Sequence, residues 1–336
     1  MSASKSLTQK SAFSLTEGKV LNKQTKDLVV KIFWSIIRIL LLTGLSFVLI
    51  YPLMYMITIS IRRTEDLLNP LAYWIPRSIT AENFIDAFKV MKYPTAIKNN
   101  IFVDLISSAL QVFSCSLVGY GFARFRFKGR NVLFGLVLFT ILVPPQLIIV
   151  PSYIQFRFFD FFGIGKIIGL FVGRPVTANL LDTLWTFYLP AMFGTGIRSG
   201  LFIFVFRQFF RGMSKELQES AYIDGCSQLK TFFQIMLPNA KPCLVTVALF
   251  SIVWYWNDFY FAAMYFTNLR TVSIALSSLR EDFILMTKYA NAVTDPYVLV
   301  TRIQAGCLLT VGPLLFLYLV LQKYFVESIE RTGIVG

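Results

Sequence analysis

Glu219-Ser220-Ala221-Tyr222-Ile223-Asp224-Gly225, followed nine residues later by Ile235-Met236-Leu237-Pro238, is a polar stretch set between apolar ones. It reads as two short helices about a glycine. Ser214 ahead of Lys215-Glu216-Leu217-Gln218-Glu219 is an N-cap with acids in the first turn. Leu217 and Ala221 share a face at i,i+4 spacing. Gly225 stands where a helix ends in a left-handed residue. Ser227 then caps a second helix whose apolar side is Phe232, Phe233, Ile235 and Met236, and Pro238 ends it. A polar helix–glycine–helix segment in an otherwise apolar chain must face water. The residues alone leave two readings open: a docking surface for another subunit, or a loop packed only on its own chain.

The rest of the chain is a membrane protein by composition. Of 336 residues, 56% are hydrophobic and only 15% charged, well under the roughly 25% of a soluble domain. Six stretches reach the ~20 apolar residues of a crossing: Ile39–Ile61, Ile101–Phe122 (carrying Asp104), Val132–Ile154 (with Pro144, Pro145 and Pro151), Leu184–Phe206 (carrying Arg198), Pro242–Met264 (carrying Asp258) and Ile303–Gln322. The fold class expected is therefore all-α and polytopic, with six transmembrane helices. A net charge of +14 can signal nucleic acid, but here the basic residues flank apolar stretches, which is membrane charge. Lys and Arg are modestly in excess on the side of the N-terminal arm, of Arg124, Arg126, Lys128 and Arg130, and of the polar loop. This places both termini and that loop in the cytoplasm.

The domain organisation expected is a basic cytoplasmic arm over 1–38, a six-helix transmembrane domain over 39–325 containing the polar loop at about 214–238, and a cytoplasmic tail over 326–336. The arm is polar and expected to be disordered. The first apolar stretch is too long for a signal peptide. Phe158–Asp182 is too interrupted to cross and reads as an extracytoplasmic or interfacial excursion. The prolines of the third stretch either break that helix, freeing carbonyls toward a cavity, or form a rigid kink. There is no histidine, no Cys-x-x-Cys pair and no G-x-x-x-x-G-K-[ST] phosphate loop. These absences argue against a metal site, against an enzyme, and against ATP hydrolysis by that route on this chain. Cys115, Cys226, Cys243 and Cys307 read as small apolar fillers.

Two clusters carry the charge inside the membrane. Arg198 near mid-span costs ~2.5–3.5 kcal/mol on insertion scales, so it should face protein or water and find a carboxylate, with Asp258 and Asp104 as candidates. It reads as a pathway residue, as half of a structural ion pair, or as the mark of a span boundary drawn in the wrong place. Trp256-Asn257-Asp258 is either an interfacial anchor or part of a sugar site, where an aromatic face meets the sugar ring and amide or acid meets its hydroxyls.

The pattern Glu219-x-Ala221-x-x-x-Gly225, then Ile235-x-Leu237-Pro238, resembles the EAA loop of permease subunits of binding-protein-dependent ABC importers. Arg207-Gln208-Phe209-Phe210, Glu216-Leu217 and Ile223-Asp224-Gly225 narrow the likeness to the maltose and multiple-sugar group. Val143-Pro144-Pro145-Gln146 with Val150-Pro151, Trp256-Asn257-Asp258-Phe259, and Tyr324-Phe325-Val326-Glu327 through Gly336 agree. The resemblance covers residues 35–336. Ser220 and Cys226 stand where the group has alanine, and the Phe158–Asp182 excursion is longer than is common in it. The resemblance implies a type I ABC importer permease fold in a bacterial inner (plasma) membrane. It implies that Glu219, Ala221, Asp224, Gly225, Ile235, Leu237 and Pro238 couple to a dimeric cytoplasmic ATP-binding subunit. It also implies a second homologous permease subunit and an extracytoplasmic solute-binding protein that delivers a carbohydrate. Arg198, Trp256, Asn257 and Asp258 are its translocation-pathway candidates. No cofactor is expected on this chain, ATP and Mg belonging to the partner ATPase, and no nucleic acid. The alternative is an ion-gradient-driven secondary transporter. That class is built from inverted repeats, and residues 30–160 and 180–325 show no convincing repeat.

Overall fold

The computed structural model describes the backbone of residues 3–68, 75–289 and 296–333, and side chains over 30–67, 75–288 and 297–322. Two units emerge, residues 1–58 and 59–336. The first is nearly all one helix, α1 (Ala3–Ser60). Where the polar arm was expected to be disordered, the backbone is helical from Ala3. From Ala3 to Arg38 there is no proline and one glycine, Gly18. Lys, Gln, Glu and Leu are good helix formers, and a helix already nucleated in the apolar stretch extends backward without a new nucleus.

The second unit is built around α3 (Tyr93–Arg124), which follows α2 (Glu82–Val90). At ~1.5 Å per residue α3 is about 48 Å long. One side of it is polar and buried: Asn100, Asp104, Ser107, Ser108, Gln111 and Ser114. Polar side chains in lipid must turn toward protein, so this face is the axis on which the other elements assemble. They are α4 (Arg130–Leu142), α5 (Pro145–Arg157), α6 (Ile164–Val172), α7 (Trp185–Met192), α8 (Ser199–Gly212), α9 (Glu216–Ile223), α10 (Gln228–Thr231), a π-helical turn Phe232–Met236, α11 (Leu237–Asn239), α12 (Lys241–Trp256), α13 (Tyr260–Tyr265), α14 (Val272–Ser277), α15 (Leu279–Tyr289) and α16 (Pro296–Gly333). Helices α7, α8, α12 and α14 pack on α3, and α16 packs on α2 and α12. Among the described residues there is no strand, only the isolated bridges Arg62–Ile79 and Phe159–Ala178.

Three of the six expected crossings are continuous apolar helices: Val30–Ser60, Tyr93–Arg124 and Tyr297–Gln322. The other three are interrupted. The stretch Val132–Ile154 breaks between α4 and α5, whose axes differ by 103°. Val143 is extended ahead of Pro144, and Pro145 opens α5, as the steric demand of X-Pro requires. The stretch Leu184–Phe206 is α7 and α8 with an irregular turn between. The stretch Pro242–Met264 is α12 and α13, parted at Asn257–Phe259. Helix α12 also leaves the segment Gln228–Asn239 at 80°. The described residues thus hold three apolar helices long enough to cross, or five when each bent pair is one span.

A break at membrane depth is tolerated only where protein satisfies the freed backbone groups. Here α3 does so for α7 and α8. Gln111 Nε2 donates to the Ile197 carbonyl (2.6 Å) and to Ser199 Oγ (2.8 Å). Gln111 Oε1 accepts from the Ser251 hydroxyl of α12 (3.1 Å). Ser114 Oγ donates to the Ala191 carbonyl (2.6 Å). Phe158–Asp182 folds as a short hairpin around α6, nine residues between the left-handed Gly163 and Gly173, too short to span. Cys115 and Cys243 are buried filler in the core, while Cys226 and Cys307 are half-buried; all four are free. In the tail, α16 runs on to Gly333, while the side chains of the Tyr324–Gly336 motif lie outside the described residues.

Candidate functional site: the helix–glycine–helix loop and the broken helices

Helix α9 ends in a Schellman turn. Gly225 takes φ +77°, its N–H bonds the Tyr222 carbonyl (3.1 Å), and the Cys226 N–H bonds the Ala221 carbonyl (2.9 Å). Ser214 Oγ accepts the Glu216 N–H ahead of α9 (3.1 Å). Ser227 Oγ accepts the Lys230 N–H to start α10 (3.3 Å). The two-helix reading of the polar stretch is therefore the observed one. The second helix is not regular throughout: Pro238 has no N–H, and the preceding turn widens to π, with Leu237 N–H reaching Phe232 O.

Within α9 only Ala221 is buried, at 2% exposure. Glu219, Asp224 and Gly225 are exposed, as is Pro238, while Ile235 and Leu237 are half-buried. Ile223 is 86% exposed and Leu229 62%. Two apolar side chains thus stand uncovered at the tip beside Glu219 and Asp224, a surface suited to a partner. The reading in which this loop packs only on its own chain leaves that tip unexplained.

The base of the loop is rigid. Phe232 and Met236 are fully buried with Phe206, Phe210, Tyr120, Ala240 and Cys243. The Tyr120 ring of α3 lies 5.4–5.5 Å from Phe125 and Phe210 and 5.1 Å from Phe232. Helices α3 and α8 touch so closely that a Cβ on Gly119 would sit 2.6 Å from Phe206 Cβ. Arg124, at the end of α3, donates from Nη2 to the Met213 carbonyl (2.7 Å) and the Ser214 carbonyl (3.3 Å) at the entrance to the loop. Sequence reasoning counted Arg124 only as flanking charge. Nothing in its spacing marks it, because its partners are backbone carbonyls some ninety residues away.

The residues expected to line a pathway separate. Arg198 sits in the turn between α7 and α8 with φ 59°, exposed, its guanidinium 5.7 Å from the Trp254 ring. The carboxylate partner expected for it is a correction. Asp104 instead accepts from Ser108 Oγ (3.3 Å) on its own helix, and Asp258 accepts the Ala262 N–H at the start of α13 (2.9 Å). The break moves Arg198 out of helix packing, and its guanidinium meets the Trp254 ring instead of a carboxylate. Trp256 is buried and donates its indole N–H to the Thr310 carbonyl of α16 (3.0 Å). Asn257 is exposed, its amide bonded to the Val253 carbonyl (2.8 Å). Asp258 also accepts the Ser273 hydroxyl at its carbonyl (2.6 Å). Trp256 and Asp258 therefore join helices, whereas Arg198 and Asn257 face outward. Trp254, which sequence reasoning missed, points to α8 because residues two apart on a helix lie on different faces.

The family described as "Binding-protein-dependent transport system inner membrane component" matches residues 116–331, which include the whole loop. "Probable ABC transporter permease protein YurM" of Bacillus subtilis (strain 168) is 30% identical over 288 residues, 85% of this chain and 84% of that one. "Arabinooligosaccharides transport system permease protein AraQ" of Halalkalibacterium halodurans is 28% identical over 297 residues, 87% of this chain and 93% of that one. Among solved structures, a chain of a bacterial ABC transporter involved in the import of the acidic polysaccharide alginate has the same fold. Its TM-score is 0.66 at 21% identity, over 87% of this chain and 96% of that one. With an exposed two-helix loop fixed to broken apolar helices and a family match over most of its length, the chain belongs to the binding-protein-dependent transport system inner membrane components.

Proposed function

We propose that this chain is the membrane-spanning permease subunit of an ATP-driven importer that translocates a carbohydrate of oligosaccharide size. An extracytoplasmic solute-binding protein delivers the substrate, a second homologous permease subunit completes the pore, and a cytoplasmic ATPase dimer supplies the energy. The carbohydrate rests on the relatives, among them the arabinooligosaccharide permease protein. The crossings are six: α1, α3, the bent pair α4–α5, the pair α7–α8, α12 with α13, and α16. Both termini and the loop at 214–238 face the cytoplasm of a bacterial plasma membrane. The chain has no ATPase site of its own.

The observation that carries this reading is the loop's form, open at the tip and locked at the base. Glu219, Asp224, Gly225, Ile223 and Leu229 are free to dock, while Phe232, Met236 and the bonds from Arg124 tie the loop to α3, α8 and α12. A force applied at the tip therefore moves helices rather than flexing a linker. Ala221 keeps α9 close to α10, Ile235 and Leu237 continue the packing, and Pro238 fixes the turn into α12. Arg198 and Asn257 are the pathway candidates, being outward-facing polar groups at helix breaks.

Replacing Gly225 with valine tests the coupling. A β-branched residue in the left-handed region costs ~1–2 kcal/mol, about 5- to 30-fold in the population of the required turn. In the reconstituted full complex, uptake and substrate-stimulated ATP hydrolysis should fall by that order, with membrane insertion and protein level unchanged. Gly225→Asn, which tolerates the same φ, should keep most of the activity. Normal uptake by the valine variant would remove the loop from the coupling role.

A further inference from the structure

The turn that joins α3 to α4 is crowded with positive charge. Arg124 ends α3, Arg126 and Lys128 follow, Gly129 turns the chain at φ +82°, and Arg130 opens α4. An open depression of about 510 Å³ lies along this turn, lined by Arg126, Phe127, Gly129, Arg130, Asn131 and Val132. Arg130 Nη1 donates to the Phe125 carbonyl (3.1 Å), which holds its guanidinium across the turn. From α8, Arg207 approaches: it is partly desolvated, and it feels the repulsion of Arg130 in the turn as well as of Arg211 four residues on in its own helix. Arg207 stacks on Phe134 at 3.8 Å, and its buried Nε has no partner. The three ion pairs among the described residues, Lys166–Asp160, Arg270–Asp282 and Arg302–Asp86, all lie elsewhere. Like charges gathered with no carboxylate paired to them among the described residues suit an external anion, and guanidinium groups match the two-oxygen geometry of phosphate.

The same turn leads onto an uncovered apolar helix face. Val132, Leu133, Leu136 and Phe139 of α4 are 70%, 47%, 57% and 60% exposed, at the spacing of one helix face, and Val132 is also a wall of the depression. An apolar stripe thus leads from a cationic pocket along a membrane helix. A free phosphate would use only the pocket. A phospholipid uses both, its headgroup among the arginines and its acyl chains along α4. We infer that this pocket binds the headgroup phosphate of an anionic phospholipid in the leaflet on the side of the helix–glycine–helix loop. Arg124 belongs to the same turn and holds Met213 and Ser214, so a lipid seated there steadies the base of the loop.

Native mass spectrometry of the full chain in mild detergent, titrated separately with phosphatidylglycerol and phosphatidylcholine, tests this. Preferential retention of phosphatidylglycerol is expected. Arg126→Gln, at an exposed side chain, should weaken it about fivefold, and Arg126→Gln/Arg130→Gln by about the square of that. Lys230→Gln/Lys241→Gln removes as much charge from the same side outside the pocket and should leave retention unchanged. Equal retention of the two lipids, or an equal loss in the lysine control, overturns the inference. So does complete displacement of phosphatidylglycerol by inorganic phosphate, which would mark a free-anion site. Should the double variant fail to fold, the single variant and the lipid preference of the parent chain still decide it.

Discussion

Asp182 takes a left-handed backbone, φ 59°, at the foot of α7, a conformation Asp tolerates better than most residues. Its Oδ1 accepts the N–H groups of Thr267 (2.6 Å), Asn268 (2.8 Å) and Leu269 (3.3 Å), and its Oδ2 the Asn268 amide (3.1 Å). Partial burial pushes its carboxyl up, but the N–H groups of Asn268, Thr267 and Leu269 and the Asn268 amide pull it down further, to below the usual carboxylate value. A group whose folded pKa is depressed stabilises the fold above its unfolded pKa, and that contribution is lost as pH falls through the folded value. The junction between 182 and 265–269 should therefore loosen below about pH 4. Hydrogen exchange of residues 265–269 measured against pH checks this. Asp182→Asn should raise exchange at neutral pH and flatten the acid dependence, and an unchanged profile would show that the clamp contributes nothing. None of this is legible in the sequence, where Asp182 is one acid in a loop and its partners lie more than eighty residues on.

Among the elements, the broken segments depend on α3. Gln111 is fully buried and serves the turn before α8 and the Ser251 hydroxyl of α12 together. Gln111→Leu keeps the volume and removes three hydrogen bonds, leaving the Ile197 carbonyl, Ser199 and Ser251 without this partner. A buried polar group left unpaired costs ~1–3 kcal/mol, while bonds between membrane helices average nearer 0.6 kcal/mol. About 2 kcal/mol for the three is the expected loss, read as a lower melting temperature in detergent. An unchanged melt would mean that water or neighbouring groups replace the glutamine. The sequence showed six apolar stretches and flagged the prolines of the third. In the fourth, the charge of Arg198 was the one sign of a misplaced boundary, because Gly194 and Gly196 sit among residues apolar enough to read as continuous helix. Hydropathy records composition along a line, whereas the break is stable only because Gln111 and Ser114 reach it from elsewhere.

At the level of the whole molecule, sidedness follows from the loop. Half-buried Cys226 lies in the loop and Ile75 lies in the segment before α2, near opposite ends of the unit organised along α3. With the loop in the cytoplasm, a membrane-impermeant maleimide should label Cys226 in inside-out vesicles and not in right-side-out ones. In a Cys226→Ser background, Ile75→Cys, 80% exposed in the parent, should show the reverse. Labelling of both from one side would overturn the six-crossing arrangement.

The sequence by itself determined the class of the molecule, its apolar segments and the form of the polar loop. Those properties are local: hydropathy over some twenty residues, a serine cap, a glycine in the left-handed region. The tertiary structure alone decided which charges are paired, where the helices break and what anchors the loop. Arg198 meets Trp254 rather than an acid, Asp258 caps a helix, and Arg124 holds backbone carbonyls. The contacts of Arg198 and Arg124 join residues distant in the chain, and no local pattern encodes their partners.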